Sequence, residues 1–158
     1  MSKDTLFRRV KTMPIDAKPI VVEQTFNAPV TVVWQAITDK QQMQQWFFET
    51  ITEFTPEVGF ETEFNVPCEG KNYLHMWKVT EVVPQLRLVY QWRYGGYPGD
   101  SAVSWELSEE EGITKLTFTH TGHETIQGDD IFSRENGVAG WRYFIQESLK
   151  AFLQPKNS

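Results

Sequence analysis

Hydrophobic and polar residues follow two periods along this chain, and the switches between them outline the elements. The stretch IVVEQTF, Ile20 to Phe26, is rich in β-branched and aromatic residues and predicts a strand. Asn27 and Pro29 then mark a helix start, and Val30, Val33, Trp34 and Ile37 follow at i, i+3, i+4 and i+7, giving one apolar face. Asp39 is placed to cap a second short helix, in which Met43, Trp46 and Phe47 repeat the spacing and the glutamines form a solvated face.

From Phe60 the period becomes two. Phe60, Thr62, Phe64 and Val66 share one face, and PCEGKN reads as a turn. Tyr73, His75, Trp77 and Val79 form the next inward row, which ends before Pro84. Leu86, Leu88, Tyr90, Trp92 and Tyr94 form another, followed by the loop GGYPGD. Val103, Trp105 and Leu107, then Leu116, Phe118 and His120, complete the alternating set. Short connections between such runs predict antiparallel pairing with one polar face. The helical period returns from about Arg134 to Leu153, where Val138, Trp141, Ile145, Leu149 and Phe152 step by three or four and Phe144 widens the stripe.

The order is one strand, two short helices, an antiparallel meander and one long C-terminal helix, an α+β arrangement. The apolar face of the sheet needs a cover, and only the last helix is long enough to lie across it. The inward positions are mostly large rings. Two outcomes follow, a cavity between sheet and helix or a solid aromatic core, and the pattern alone leaves both open.

Composition narrows the classes. The chain has 158 residues, 14% of them aromatic, and a formal net charge of −6, which argues against a nucleic-acid backbone as partner. Cys68 is the single cysteine, so neither an internal disulfide nor a cysteine metal cluster is expected. No stretch reads as a membrane span or a signal h-region, and the expectation is a soluble cytoplasmic protein that binds no membrane. Residues 1–18 are polar and basic and read as a flexible arm; residues 19–155 are expected to form a single domain.

Several local patterns carry a family resemblance. FNAPVTVVWQAITDKQQMQQWF, Phe26 to Phe47, presents Ala28-Pro29, Val33-Trp34, Thr38-Asp39 and Trp46-Phe47. With VTEVVPQLRLVYQW, Val79 to Trp92, VSWELSEEEGITKLTFTHTG, Val103 to Gly122, and Gly140-Trp141, it resembles the START-like, or SRPBCC, domains. More narrowly, the ordered set resembles the homologues of the activator of heat-shock protein 90 ATPase. The resemblance implies a helix-grip fold, in which a curved antiparallel sheet wraps a long C-terminal helix with a cavity between. It departs at Val58-Gly59, where relatives often carry two glycines, and at HETIQGDDIFSREN, which looks individual. It implies no single activity, since relatives include carriers, polyketide cyclases and chaperone co-factors.

Candidate chemistry centres on KLTFTHTGHE, Lys115 to Glu124. His120 and His123 are three apart, which on a strand sends them to opposite faces, whereas a zincin helix needs histidines at i and i+4. No metal and no cofactor are therefore expected. His120 ends an inward row, where it either hydrogen-bonds across the core or offers a polar group to a cavity. Glu106, Glu109, Glu110 and Glu111 read as solvated, and Asp129 and Asp130 as solvated or capping. The expected ligand-lining set is Tyr73, His75, Trp77, Tyr90, Trp92, Trp105, Phe118, His120 and Trp141, with GGYPGD near the rim and no catalytic residue assigned. Binding of an apolar or aromatic small molecule is the preferred function. The alternatives are a cofactor-free enzyme of the cyclase or hydrolase kind, using His120, His75 or a tyrosine, and a chaperone co-factor acting through its surface. A homodimer remains open.

Overall fold

The alternating stretches pair into one sheet of six strands, every neighbouring pair antiparallel, in the order β1-β6-β5-β4-β3-β2. In the computed structural model, which describes residues 17–154, these are β1 (Ile20–Phe26), β2 (Glu61–Cys68), β3 (Lys71–Val83), β4 (Arg87–Tyr94), β5 (Ser101–Glu110) and β6 (Ile113–Thr121). The arm expected at residues 1–18 lies, as far as residue 16, outside the described residues. Strands β2 to β6 follow chain order, while β1 closes the far edge against β6, from Ile20 opposite His120 to Phe26 opposite Thr114. Two helices, α1 (Val30–Thr38) and α2 (Lys40–Trp46), therefore carry the chain from one edge of the sheet to the other. A register shift between Val79 and Glu81 bulges the long β3, a device that adds bend and twist to a strand.

The C-terminal helix starts as α3 (Arg134–Arg142), where the Ser133 side chain accepts from the Asn136 N–H at 3.2 Å. It continues through a π-helical segment, Tyr143–Leu149, into a last turn, Lys150–Leu153. Trp141, Ile145 and Leu149 are buried against the sheet, and Phe144 and Phe152 pack beside them, as the stripe predicted. The wider π turn, absent from the expected regular helix, lies where this helix meets the end of α2. There Phe144 touches Phe47 and Phe48, and Ser148 Oγ donates to the Trp46 carbonyl at 2.6 Å.

Asp39 caps α2 as its position predicted, accepting from the Gln42 N–H. The start of α1 is satisfied differently. Pro29 at its N-cap has no side-chain acceptor, and the Val30 N–H donates instead to Glu109 Oε1 of β5 at 2.7 Å. Glu109 is thus a long-range helix cap rather than a merely solvated residue, its negative charge well matched to a helix N-terminus.

Two local expectations need correction. The reversal read as PCEGKN is confined to Glu69 and Gly70, both at positive φ; Pro67 and Cys68 stay in β2 and Lys71 and Asn72 in β3. Leu86 does not belong to the inward row of β4. It lies in the β3–β4 turn and is 56% exposed, because β4 begins one residue later. Among the described residues no helix is long and apolar enough to cross a membrane.

Candidate ligand-binding pocket

A pocket of about 300 Å³ lies between the sheet and the first half of the C-terminal helix. Of the nine residues expected to line a cavity, Tyr73, His75, Trp92, His120 and Trp141 form part of its wall. Trp77, Tyr90, Trp105 and Phe118 do not: all four are buried in the closed part of the interior. The division follows from the end of α2. Trp46 and Phe47 stack there at 4.8 Å, and Phe47 reaches Trp77, Trp92, Trp105 and Trp141. These rings plug one half of the space under the helix, and the half toward Tyr73 and His123 stays open. Solid core and cavity thus coexist, at opposite ends of one interior.

The rest of the wall comes from residues outside the expected set, among them Phe48, Cys68, Tyr94, His123, Phe132 and Phe144. Tyr94 lies on a predicted inward row and Phe144 beside the predicted helical stripe; His123 and Phe132 lie in 3₁₀ helices of three residues, too short to show a period. Among the described residues, no aspartate, glutamate, lysine or arginine stands on the wall.

The proton positions around His120 follow from its partners. Trp141 Nε1 can only donate, so His120 Nδ1 accepts from it at 3.1 Å. In the neutral ring the proton then sits on Nε2 and is donated to Ser101 Oγ at 2.9 Å, while Ser101 donates to the Trp92 carbonyl at 2.6 Å. Both ring nitrogens are engaged, and a second proton would have to displace Trp141. Burial, helped by nearby His123, lowers the His120 pKa to about 3. Of its two possible roles, His120 takes the hydrogen bond across the core, although its ring also borders the pocket.

His123 is not on the opposite face from His120. The strand ends at Thr121, Gly122 takes the left-handed conformation at φ 79°, and the chain turns back into a short 3₁₀ helix, His123–Thr125. A β-carbon at Gly122 would sit 2.7 Å from the Asp100 carbonyl oxygen, so glycine is needed on two counts. The two imidazoles meet edge to face, their centroids 5.2 Å apart. Opposite them the C-terminal helix passes so close that a β-carbon on Gly137 would lie 2.8 Å from His123 Nε2. Burial, and then the nearby charge of Arg134, hold the His123 pKa below its usual value. The pair converges, yet among the described residues no group of three His, Cys, Asp or Glu side chains could hold a metal ion.

His75 is the third histidine on the wall. Its Nδ1 lies 3.0 Å from the Tyr73 carbonyl, which can only accept, so Nδ1 carries the proton and Nε2 of the neutral ring presents a lone pair. The ring stacks on Phe64 at 5.3 Å and meets the ring of Tyr94 edge-on at 4.7 Å. Burial lowers its pKa to about 4 despite the bond to Tyr73.

One corner of the pocket is latched by charge. Tyr73 Oη donates to Asp129 Oδ2 at 2.8 Å, Lys71 approaches the same oxygen at 3.3 Å, and the Ile131 N–H donates to Asp129 Oδ1 at 3.0 Å. Asp129 therefore caps the short turn Asp130–Phe132 and ties it to β3. Desolvation and the adjacent carboxylate raise the Tyr73 pKa to about 12. The GGYPGD loop stands one layer back: Tyr97 packs against Tyr73 and Phe132 at 6.1 and 4.9 Å. Deeper in, Tyr90 Oη and the Nε1 atoms of Trp77, Trp92 and Trp105 are buried without a hydrogen-bond partner. Trp105 lies near enough to Tyr90 to favour its phenolate slightly, but outside hydrogen-bond geometry, and burial keeps that phenol well above its usual pKa.

Residues 27–154 match the family described as Activator of Hsp90 ATPase homolog 1-like protein. No curated protein matches the chain. Among solved structures, protein CV1439 from Chromobacterium violaceum is similar at 23% identity and a TM-score of 0.74, over 87% of this chain and 98% of its own. Protein BH1534 from Bacillus halodurans is similar at 26% identity and a TM-score of 0.66, over 87% and 97%. DynU16, described as a putative protein in the dynemicin biosynthetic locus, is 26% identical with a TM-score of 0.69 over 89% of this chain; the match covers 48% of DynU16, about half its length.

Proposed function

We propose, from the premise that this chain belongs to the family of activator of Hsp90 ATPase homolog 1-like proteins and shares their START-like helix-grip fold, that it binds an uncharged aromatic or apolar small molecule. One observation carries the reading: a pocket of about 300 Å³, walled largely by aromatic rings, with no aspartate, glutamate, lysine or arginine among the described residues of its wall. That is the usual composition of a small-molecule site, and its size is at the lower end of the range for such sites. An ionised ligand would lose its hydration there and find no counter-charge, a cost of several kcal/mol. Native mass spectrometry of freshly purified protein tests the proposal, with a co-purified neutral aromatic compound as the expected result. Titration with naphthalene, followed through the fluorescence of Trp92 and Trp141, gives a second test. No co-purified compound together with no spectral change would sink the reading.

The same site supports the enzyme alternative poorly. His120 has both nitrogens committed, and His75 and His120, with pKa values of about 4 and 3, are weak bases. For the chaperone alternative, the large exposed apolar residues among those described, Val21, Val32, Val58, Val83, Leu86, Ile113 and Tyr143, fall on different elements except Val83 and Leu86, which share the β3–β4 turn. Binding to the purified chaperone would decide it.

A further inference from the structure

The pocket wall is apolar but not featureless, and its polar atoms differ in whether they are free. Tyr73 Oη is spent on Asp129, and His120 uses both nitrogens on Trp141 and Ser101. Trp92 Nε1 is unpartnered but sealed from any probe of the void. His75 is different. The residue is 95% buried and its ring is on the wall, its Nδ1 is held by the Tyr73 carbonyl, and among the described residues nothing bonds its Nε2. Nor is that nitrogen among the sealed unpartnered atoms, so the remaining edge of the ring is open to the pocket.

We infer that His75 Nε2 is the hydrogen-bond anchor of this pocket, and that it selects neutral aromatic ligands carrying a hydroxyl or N–H donor, phenols above all. The inference rests on the small-molecule reading given above. The Tyr73 carbonyl fixes the ring as an acceptor at Nε2, so a donor on the ligand is rewarded. A ligand that places a carbonyl or ether oxygen there meets lone pair with lone pair. The lowered pKa of His75 keeps the ring neutral at pH 7, so it does not turn into a donor that would accept such ligands. A carboxylic acid, ionised at that pH, is disfavoured because no lysine or arginine stands on the wall among the described residues. A phenol stays neutral, buries its ring among Phe48, Trp92 and Phe132, and donates one bond.

The test uses 2-naphthol and 2-methoxynaphthalene, which present the same fused rings with and without the donor, titrated calorimetrically into wild-type protein and His75→Phe at pH 7. The phenylalanine keeps a ring between Phe64 and Tyr94 and removes the acceptor. Wild type is expected to prefer 2-naphthol by about tenfold, the worth of one buried hydrogen bond, and His75→Phe to lose that preference. Equal binding of both probes to wild type, or an unchanged preference in His75→Phe, overturns the anchor and leaves the pocket reading standing. Failure of both probes to bind wild type overturns the two together. If His75→Phe does not fold, the imidazole ¹⁵N spectrum of wild type decides. The lone-pair signal of His75 should shift on adding 2-naphthol and stay in place with 2-methoxynaphthalene; equal shifts, or none with bound 2-naphthol, reject the anchor.

Discussion

The indole N–H of Trp141 donates to His120 Nδ1 at 3.1 Å, joining the C-terminal helix to β6 through a polar bond inside a largely aromatic interior. Replacing His120 by phenylalanine keeps a ring but leaves the Trp141 N–H buried and unpaired. The expected cost is about 2 kcal/mol in urea unfolding. The double variant His120→Phe/Trp141→Phe should be less destabilised than the sum of the single changes, because the orphaned donor is removed as well. Strict additivity would mean that the bond contributes nothing of its own.

Acid should destabilise this protein through its histidines. His75 and His120, with folded pKa values near 4 and 3, and His123, also lowered, all bind protons more weakly folded than unfolded. Between the unfolded value of 6.5 and those folded values the unfolded chain takes up more protons. The stabilisation is therefore complete above about pH 6.5 and is lost as the pH falls toward 3, with a slope of about 1.4 kcal/mol per pH unit for each of His75 and His120 between its unfolded and folded values. Unfolding free energies measured from pH 7 to 4 should show this loss, and His75→Phe and His120→Phe should each remove one proton from the slope. A flat profile over that window would contradict the burial of the rings.

Gly137 lies inside a helix, where alanine normally stabilises by up to about 1 kcal/mol. Here the added carbon would stand 2.8 Å from His123 Nε2 and 3.2 Å from Ile20 Cδ1. Gly137→Ala is expected to lower the melting temperature, and to raise it instead in a His123→Ala background, where the obstructing ring is gone. The same sign in both backgrounds would show that the close approach does not matter.

Ultraviolet titration of the tyrosines should resolve two phenols that ionise late, near pH 12, those of Tyr73 and the buried Tyr94, of which one is absent from Tyr73→Phe. Asp129→Asn removes the carboxylate that Tyr73 donates to, and should bring that phenol down toward the normal range. The same substitution releases the turn Asp130–Phe132 from β3, so amide exchange at Ile131 should quicken. No change at either site would argue against the latch.

His120 and His123 lie close enough to invite a metal, but His120 offers no free lone pair and no third ligand joins them among the described residues. Protein made without a histidine tag should contain no stoichiometric zinc by elemental analysis. About one zinc per chain, lost in His123→Ala, would show that the hydrogen bonds of His120 yield to a metal.

The layout of this protein was legible in its sequence because period reports which side of an element meets water. The inward rows through His75, Trp92, Trp105 and Phe118 and the stripe of Trp141, Ile145 and Leu149 lie as that pattern predicts. Asp39 caps its helix for an equally local reason. Period cannot tell a ring that fills space from one that lines it, since the volume left between two layers depends on every side chain entering from elsewhere. The end of α2, remote in sequence from β3 to β6, buries Trp77 and Trp105 behind Phe47 and leaves His75 and Tyr73 facing a void. The convergence of His123 on His120 was hidden for a different reason: the left-handed residue at Gly122 ends the alternation, so counting along the strand gives the wrong face. Glu109 on the Val30 N–H and Asp129 on Tyr73 join residues 79 and 56 positions apart. Only folding creates those pairings, because a charged side chain finds its partner by proximity in space, and nothing in its own neighbourhood of sequence records which partner that is.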